Sequence, residues 1–263
     1  MKRDPFPFPS KHLSTRKEEK KEEKKRQHLG CTSMLALRRR LFSTTFLSSA
    51  LALPRDFGVA VFADFFSPAE EAALEAALRP LLGRREWEEG HWDNVIRHYR
   101  ESELPLARLP PACAAVVARA HARFPRAGGA VGAPLPALHA LELAPRGCID
   151  AHVDSIKFSG GVVAGLCLRS DAVMLLTPAA DAAARGLAPS AGGAAAAQVE
   201  VWLPRRCLYL LTGEARYGWG HAIPLQGSFG GRAVERDPAG RLSIMLRDAL
   251  PGGGGGAGAK MGQ

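Results

Sequence analysis

Hydrophobic and polar positions alternate with a period of two along most of the C-terminal half of the chain. The segments LPALHALELA (135–144), CIDAHVD (148–154), VVAGLCL (162–168), AVMLL (172–176), QVEVWLP (198–204), CLYLLTG (207–213) and RLSIMLR (241–247) are short and separated by turn residues. A run of such strands predicts a sandwich or barrel. Upstream, GVAVFADFF (58–66) reads as a strand and SPAEEAALEAALRPLL (67–82) as a helix. Ser67 is the expected N-cap, Pro68 the first helical residue, and Glu70 and Glu71 lie in the first turn, where carboxylates meet the positive end of the helix dipole. A second helix is expected over 111–124. The fold class is therefore mostly β with N-terminal helices.

The flanks read differently. Residues 1–33 are rich in Lys and Glu and cannot bury a core, so they predict a charged, disordered arm. Residues 34–55, MLALRRRLFSTTFLSSALALPR, hold four arginines, five Ser or Thr and no acid. That is the composition of a mitochondrial transit segment. A secretory signal is the rival reading, with Ala50–Ala52 as its cleavage site, but hydroxyl residues dilute the apolar part. Met34 is a second candidate start of translation. The folded domain is expected over 56–252, interrupted by an Ala/Gly/Pro-rich disordered insertion at 177–197 and followed by a Gly-rich flexible tail at 253–263.

Charge narrows the classes of partner. The net charge is +9, but 14 of the 35 basic residues and only 5 of the 26 acids lie in 1–55. The remaining 21 and 21 cancel, so the body is neutral and lacks a general phosphate-binding field. Five scattered cysteines without a C-x-x-C pair disfavour a disulfide framework and a zinc cluster, and suit a reducing compartment. No apolar run approaches the roughly 18–20 residues of a membrane span.

The candidate chemistry begins at His152 and Asp154. On a strand, residues i and i+2 share a face. One imidazole and one carboxylate do not hold a metal alone, whereas two histidines and a carboxylate form the facial triad of non-haem iron oxygenases. His221, at the expected end of a later strand, is the candidate third ligand. With eight His and ten Asp in the chain, roughly 0.3 H-x-D motifs arise by chance, and a turn aspartate beside a core histidine is the bland alternative. A decoy, His91–Asp93, lies among charged residues where no strand is expected. The segment RLSIMLR shifts the balance. Leu242, Ile244 and Leu246 point one way; Arg241, Ser243, Met245 and Arg247 point the other. Two inward arginines call for anionic partners. Their Cα atoms are about 20 Å apart on a strand, which leaves a gap about as long as a five-carbon dicarboxylate. Solvated arginines on an edge strand are the alternative.

The order His152-x-Asp154, His221, Arg241-x5-Arg247 resembles the AlkB family of Fe(II)/2-oxoglutarate-dependent dioxygenases. The stretches GHWDNVIRHYRESE, HVDSIKFSGGVVAGLCLRSDAVM, WLPRRCLYLLTGEARYGWGHAI and GRLSIMLRDALPGG are similar to its mitochondrial, seventh-homologue branch, over about residues 57–252. The resemblance implies a double-stranded β-helix (a jelly-roll, cupin-like core) and iron on His152, Asp154 and His221. It implies Arg241 on the distal carboxylate of 2-oxoglutarate, Arg247 on its metal-proximal end and on the ligating carboxylate, and Tyr209 as a further cosubstrate contact. Fe(II), 2-oxoglutarate and O2 are then the cofactors. The prime substrate is expected to be a protein side chain or a mitochondrial RNA, not duplex DNA, and the location the mitochondrial matrix. A role in fatty-acid and energy metabolism and in programmed necrosis after alkylation damage is implied as well. A non-catalytic jelly-roll binding or sensor protein is the alternative, and the intact ligand set argues against it. Two departures stand out. Leu141 and Leu143 occupy the places of an Asn and a Tyr that hold the cosubstrate in nucleic-acid-repairing members. The segment 84–103, where those members carry a base-gripping lid, is rich in acids; its Trp87, Trp92 and Tyr99 are expected in the core.

Overall fold

In the computed structural model, which describes residues 46–49, 53, 56–91, 93–125, 131–184 and 198–250, β1 (Leu47–Ser49) and β2 (Val59–Phe62) precede helix α1 (Pro68–Leu82). A hairpin of β3 (Glu88–Gly90) and β4 (Ile96–Pro105) leads to α2 (Pro111–His121). Then follow β5 (Ala137–His152), β6 (Val163–Leu168), β7 (Ala172–Pro178), β8 (Val199–Leu203), β9 (Leu208–Leu211), the one-turn helix α3 (Gly213–Tyr217), β10 (Trp219–Ile223), β11 (Gly227–Phe229), β12 (Arg232–Val234) and β13 (Arg241–Arg247). Among the described residues, no helix is long and apolar enough to cross a membrane.

Helix α1 starts where its sequence says it should. Ser67 Oγ accepts from the Glu70 amide at 3.2 Å while Glu70 Oε2 accepts from the Ser67 amide at 2.8 Å, a closed capping box. Leu74, Leu78 and Leu82, spaced by four, form its buried stripe. These side chains and those of α2 cover one face of an eleven-stranded antiparallel sheet of order β1-β8-β7-β10-β5-β13-β6-β9-β2, with β3 and β4 branching from β5. The sheet curls into a half-barrel, the expected double-stranded β-helix.

The period-two rule then divides the interior into two cores. Leu242, Ile244 and Leu246 of β13, Ala164, Leu166 and Leu168 of β6, and Leu208 and Leu210 of β9 pack under the helices. Val163, Cys167, Tyr209, Leu211, Leu141, Leu143 and Trp219 line the inner face. Strands β6 and β9 are buried on both sides, which is why they read as nearly continuous apolar runs.

Several boundaries differ from expectation. β5 fuses two segments read as separate strands, and its pairing with β4 slips between Arg97 and Tyr99, where His98 has a φ of 49°. A ten-residue strand, β4, stands where none was expected. Its charges are satisfied across strands: Arg97 on Asp150, Arg100 on Glu142 and His139 on Glu101, at 2.6–2.8 Å. β7 continues through Thr177 to Pro178 and Ala182 is buried, so the ordered chain extends beyond the expected start of the insertion; residues 185–197 lie outside the described residues. So do the arm 1–33, the tail 253–263 and most of the transit-like segment. The exceptions are Leu53 and Phe46–Ser49, where β1 pairs with β8 and Phe46 lies 5.6 Å from the Trp202 ring.

Candidate metal centre

Three pieces of chain bring the expected donors together. His152 is the last residue of β5, Asp154 follows it in an irregular segment, and His221 is the middle residue of β10. Expectation placed His221 at the end of a strand continuous with CLYLLTG; a helical turn, α3, and a new strand intervene instead. β10 runs antiparallel to β5 with His221 directly opposite His152, so the imidazole rings meet across the ladder with centroids 4.4 Å apart.

Asp154 Oδ1 lies 3.3 Å from His152 Nε2 and 3.4 Å from His221 Nε2. The three donor atoms all fall within 4.8 Å of one another. Two donors at right angles on one ion, each about 2.1 Å away, lie about 3 Å apart, so the two spacings from Asp154 Oδ1 are close to those of a facial arrangement. His152 Nδ1 is 3.0 Å from the Asp150 carbonyl, an acceptor, so Nδ1 carries the proton and Nε2 presents its lone pair to the centre. Asp154 Oδ2 accepts from Arg247 Nε at 2.6 Å, which leaves Oδ1 as the free ligand oxygen.

The electrostatics of Asp154 and His221 agree with that division. Burial pushes the Asp154 carboxyl up, but Arg247 and the two histidines outweigh it and hold the group well below the usual carboxylate range. Burial dominates at His221 and lowers its pKa, favouring the neutral, ligating form. At His152 burial is opposed by Asp154, and the net shift is upward.

Further along β13, Arg241 is 1% exposed. Its Nη1 donates to Ser243 Oγ at 3.0 Å, its Nη2 reaches Cys167 Sγ at 3.5 Å, and its buried Nε has no partner. No ion pair to Arg241 is found among the described residues. A sequestered guanidinium without a carboxylate is costly by several kcal/mol unless an anion joins it, and the vacant donor is suited to one end of a dicarboxylate. Tyr209 of β9 is buried on the same inner face, with its hydroxyl 3.5 Å from Met245 Sδ. Burial raises its pKa, so the phenol stays protonated and can donate. The structure brings His152, Asp154, His221 and Arg247 into contact, and buries Arg241 on β13 and Tyr209 on β9. It adds one that sequence reasoning missed: Arg216 of α3, buried and bonded to the main chain of Asp154.

No protein-family model matches the chain. Two curated relatives do match it. The mitochondrial alpha-ketoglutarate-dependent dioxygenase alkB homolog 7 of Bos taurus is 37% identical over 191 residues, which is 72% of this chain and 77% of the relative. That of Mus musculus is 36% identical over 208 residues, 78% of this chain and 84% of the relative. The chain belongs to the alkB homolog 7 family. Solved structures with a similar fold include OsALKBH1, with a TM-score of 0.48 and 13% identity, covering 76% of this chain and all of that one (100%). A Pseudomonas putida prolyl-4-hydroxylase has the same TM-score at 15% identity, covering 74% of this chain and 94% of that one.

Within the alkB homolog 7 frame, the two departures noted above have structural forms. Leu141 and Leu143 are buried on the inner face of β5, opposite Ser243 and Arg241 of β13. The segment 84–103 holds the β3–β4 hairpin, whose second strand is paired along β5. Tyr99 is fully buried and donates to Glu88 at 2.8 Å, as a core residue. Trp87 is not core: it is 46% exposed with the Arg100 guanidinium 4.5 Å over its ring. Trp92 lies outside the described residues. The decoy His91–Asp93 forms the hairpin turn, with Asp93 Oδ1 2.7 Å from His91 Nδ1 and accepting from the Val95 amide at 3.0 Å.

Proposed function

We propose that this chain is a mitochondrial 2-oxoglutarate-dependent dioxygenase, in which His152, Asp154 and His221 hold Fe(II) and Arg241, Arg247 and Tyr209 serve the cosubstrate. The observation that carries the reading is the pairing of two things: a converging Nε2, Nε2, Oδ1 donor set and a buried guanidinium that lacks an anion. When bound, iron with 2-oxoglutarate and O2 supplies oxidative decarboxylation, giving succinate and CO2 coupled to hydroxylation of a C–H bond.

The chain's own residues do the rest. The Asp150 carbonyl fixes the tautomer of His152. Arg247 holds Asp154 Oδ2, so that Oδ1 is the oxygen that would be offered to the metal. Arg241 receives the distal carboxylate, with Ser243 orienting its guanidinium. The neutral Tyr209 hydroxyl donates to the cosubstrate. Leu141 and Leu143 exclude water from the pocket, which strengthens each charged contact inside it.

The prime substrate in this reading is a protein side chain, supported by the absence of a basic surplus in residues 56–263; demethylation of a structured or single-stranded RNA is the competing assignment. The matrix is the compartment, on the composition of residues 34–55. Involvement in fatty-acid and energy metabolism and in programmed necrosis after alkylation damage rests on the family resemblance. The deciding experiment is anaerobic: Fe(II), then 2-oxoglutarate, followed by visible absorption. A metal-to-cosubstrate charge-transfer band that is lost in His152→Ala and needs at least tenfold more 2-oxoglutarate in Arg241→Ala is expected. A folded wild type without the band refutes the reading in favour of a non-catalytic jelly-roll protein.

A further inference from the structure

Arg216 lies five residues before His221 and is 2% exposed. Burying a guanidinium calls for acceptors, and the ones it finds all belong to the segment that carries Asp154. Nη1 donates to the main-chain oxygen of Asp154 at 2.9 Å; Nη2 donates to Ser159 Oγ at 2.9 Å and reaches the Ser155 carbonyl at 3.4 Å. Its buried Nε has no partner among the described residues. No carboxylate pairs with Arg216 among the described residues, so the side chain is spent on main-chain geometry.

That geometry matters because Asp154 belongs to no strand. β5 ends at His152, and residues 153–155 have no ladder to hold them. Arg247 fixes the carboxylate end of Asp154. At the other end, Arg216 fixes the peptide. Arg216 is itself anchored: the Arg216 amide donates to Thr212 O at 3.2 Å and the neighbouring Ala215 amide to Phe57 O at 2.9 Å. From α3 the chain runs straight into β10 and His221. One side chain therefore ties the segment bearing one donor to the helix that launches the strand bearing another.

We infer that Arg216 is a positioning residue of the metal centre, holding the Asp154 main chain so that Oδ1 meets the two Nε2 atoms. The inference rests on reading His152, Asp154 and His221 as the metal ligands. A purely structural role predicts lost stability without altered metal binding, and Arg236 supplies the comparison. Arg236 is a half-buried arginine that also clamps carbonyls, those of Gly147 and Pro224, but touches nothing in the Asp154 segment.

The test titrates Co(II), as a spectroscopic stand-in for Fe(II), into the full chain and its Arg216→Gln, Arg216→Lys and Arg236→Gln variants, with thermal melts alongside. Arg216→Gln is expected to weaken Co(II) about 10–100-fold and to change its ligand-field bands, the usual effect of removing a group that orients a ligand. Arg216→Lys, which reaches one carbonyl, recovers part of the affinity. Arg236→Gln loses thermal stability but stays within about threefold in affinity. Arg216→Gln binding within threefold with an unchanged spectrum overturns the inference, as does an equal loss in Arg236→Gln. If Arg216→Gln does not fold, Arg216→Lys is judged by the same threefold threshold. A wild type that binds no Co(II) overturns the ligand assignment itself, and this inference with it.

Discussion

Gly165 offers the sharpest test of how the inner pocket is built. It sits in β6, opposite Tyr209 of β9 on one side and Met245 of β13 on the other. A Cβ at this position would lie 2.3, 2.5 and 2.6 Å from Cε1, Cζ and the hydroxyl oxygen of Tyr209. Carbon atoms in contact normally sit about 3.5–4.0 Å apart, so the overlap exceeds about 1 Å. The backbone of Gly165 is held in ladders on both sides, and the ring is the part that must move. Tyr209 is 3% exposed, packed in the inner core, so the ring can move only by displacing its neighbours. Overpacking of this kind costs about 1–3 kcal/mol. At about 2–4 °C per kcal/mol for a domain of this size, Gly165→Ala lowers the melting temperature by about 2–12 °C. On the proposed role of Tyr209 a displaced phenol would no longer donate to the cosubstrate, so 2-oxoglutarate affinity falls roughly tenfold, about 1.4 kcal/mol. Calorimetric melts and 2-oxoglutarate titration with Co(II) present read both quantities. Tyr209→Leu removes the overlapping atoms, so the double variant loses less stability than the two single losses together. Refutation is simple: Gly165→Ala that melts and binds like wild type, or losses that add without coupling, means the ring is not wedged as described.

Three further outcomes are expected. His121 has a buried Nε2 without a partner and burial lowers its pKa, so the unfolded chain takes up the proton first; stability falls as pH drops below about 6.5, the unfolded value, and levels off below the folded value. Urea unfolding between pH 5 and 8 should show a shallower slope in His121→Phe. Glu142 accepts from Arg100 and Arg169, each at 2.6 Å; Glu142→Leu takes the carboxylate from Arg100 and leaves Arg169, among the described residues, only the longer carboxylate contact to Glu75 at 3.5 Å, and lowers unfolding free energy by about 2–3 kcal/mol, short of a fully buried pair because the arginines are 21% exposed. An unchanged urea midpoint contradicts this. Co(II) at about a hundred times its Kd stabilises wild type by about 2.7 kcal/mol; the same addition leaves the melt of His221→Ala where it was.

What the sequence discloses follows from what each signal encodes. The capping box at Ser67 and the inner and outer faces of β13 are local and periodic, and both are legible. The candidate metal ligands are legible as an order of residue types, because H-x-D followed by a distant His needs no knowledge of distance; the strand expected to carry both His152 and Asp154 stops at His152, since the chain turns away there. That His221 stands across the ladder from His152 is a pairing between residues far apart in the chain, and no local pattern carries it. β4 escapes for a related reason. Its charges look solvent-facing until Glu142, His139 and Asp150 of β5 are set beside them, and the break at His98 scrambles what alternation remains. Arg216 escapes because GEARY reads as a polar turn; its acceptors are carbonyls, and every residue has one. Trp87 is expected in the core rather than as a stacking platform, but a cation stacked over its ring lets a large aromatic stay half in water.

The three-residue strand β1 falls within the stretch whose composition resembles a leader. β8 has β7 on one flank, and Leu47–Ser49 close the other, with Phe46 laid on Trp202. Clipping the chain at Pro54 or Arg55 would therefore leave a bare row of amide and carbonyl groups along β8, a surface on which unfolded or neighbouring chains add strands. A cut upstream of Phe46 would keep that edge covered. Leader-like composition and membership of the sheet then meet in one segment, and the strand is the part the fold needs.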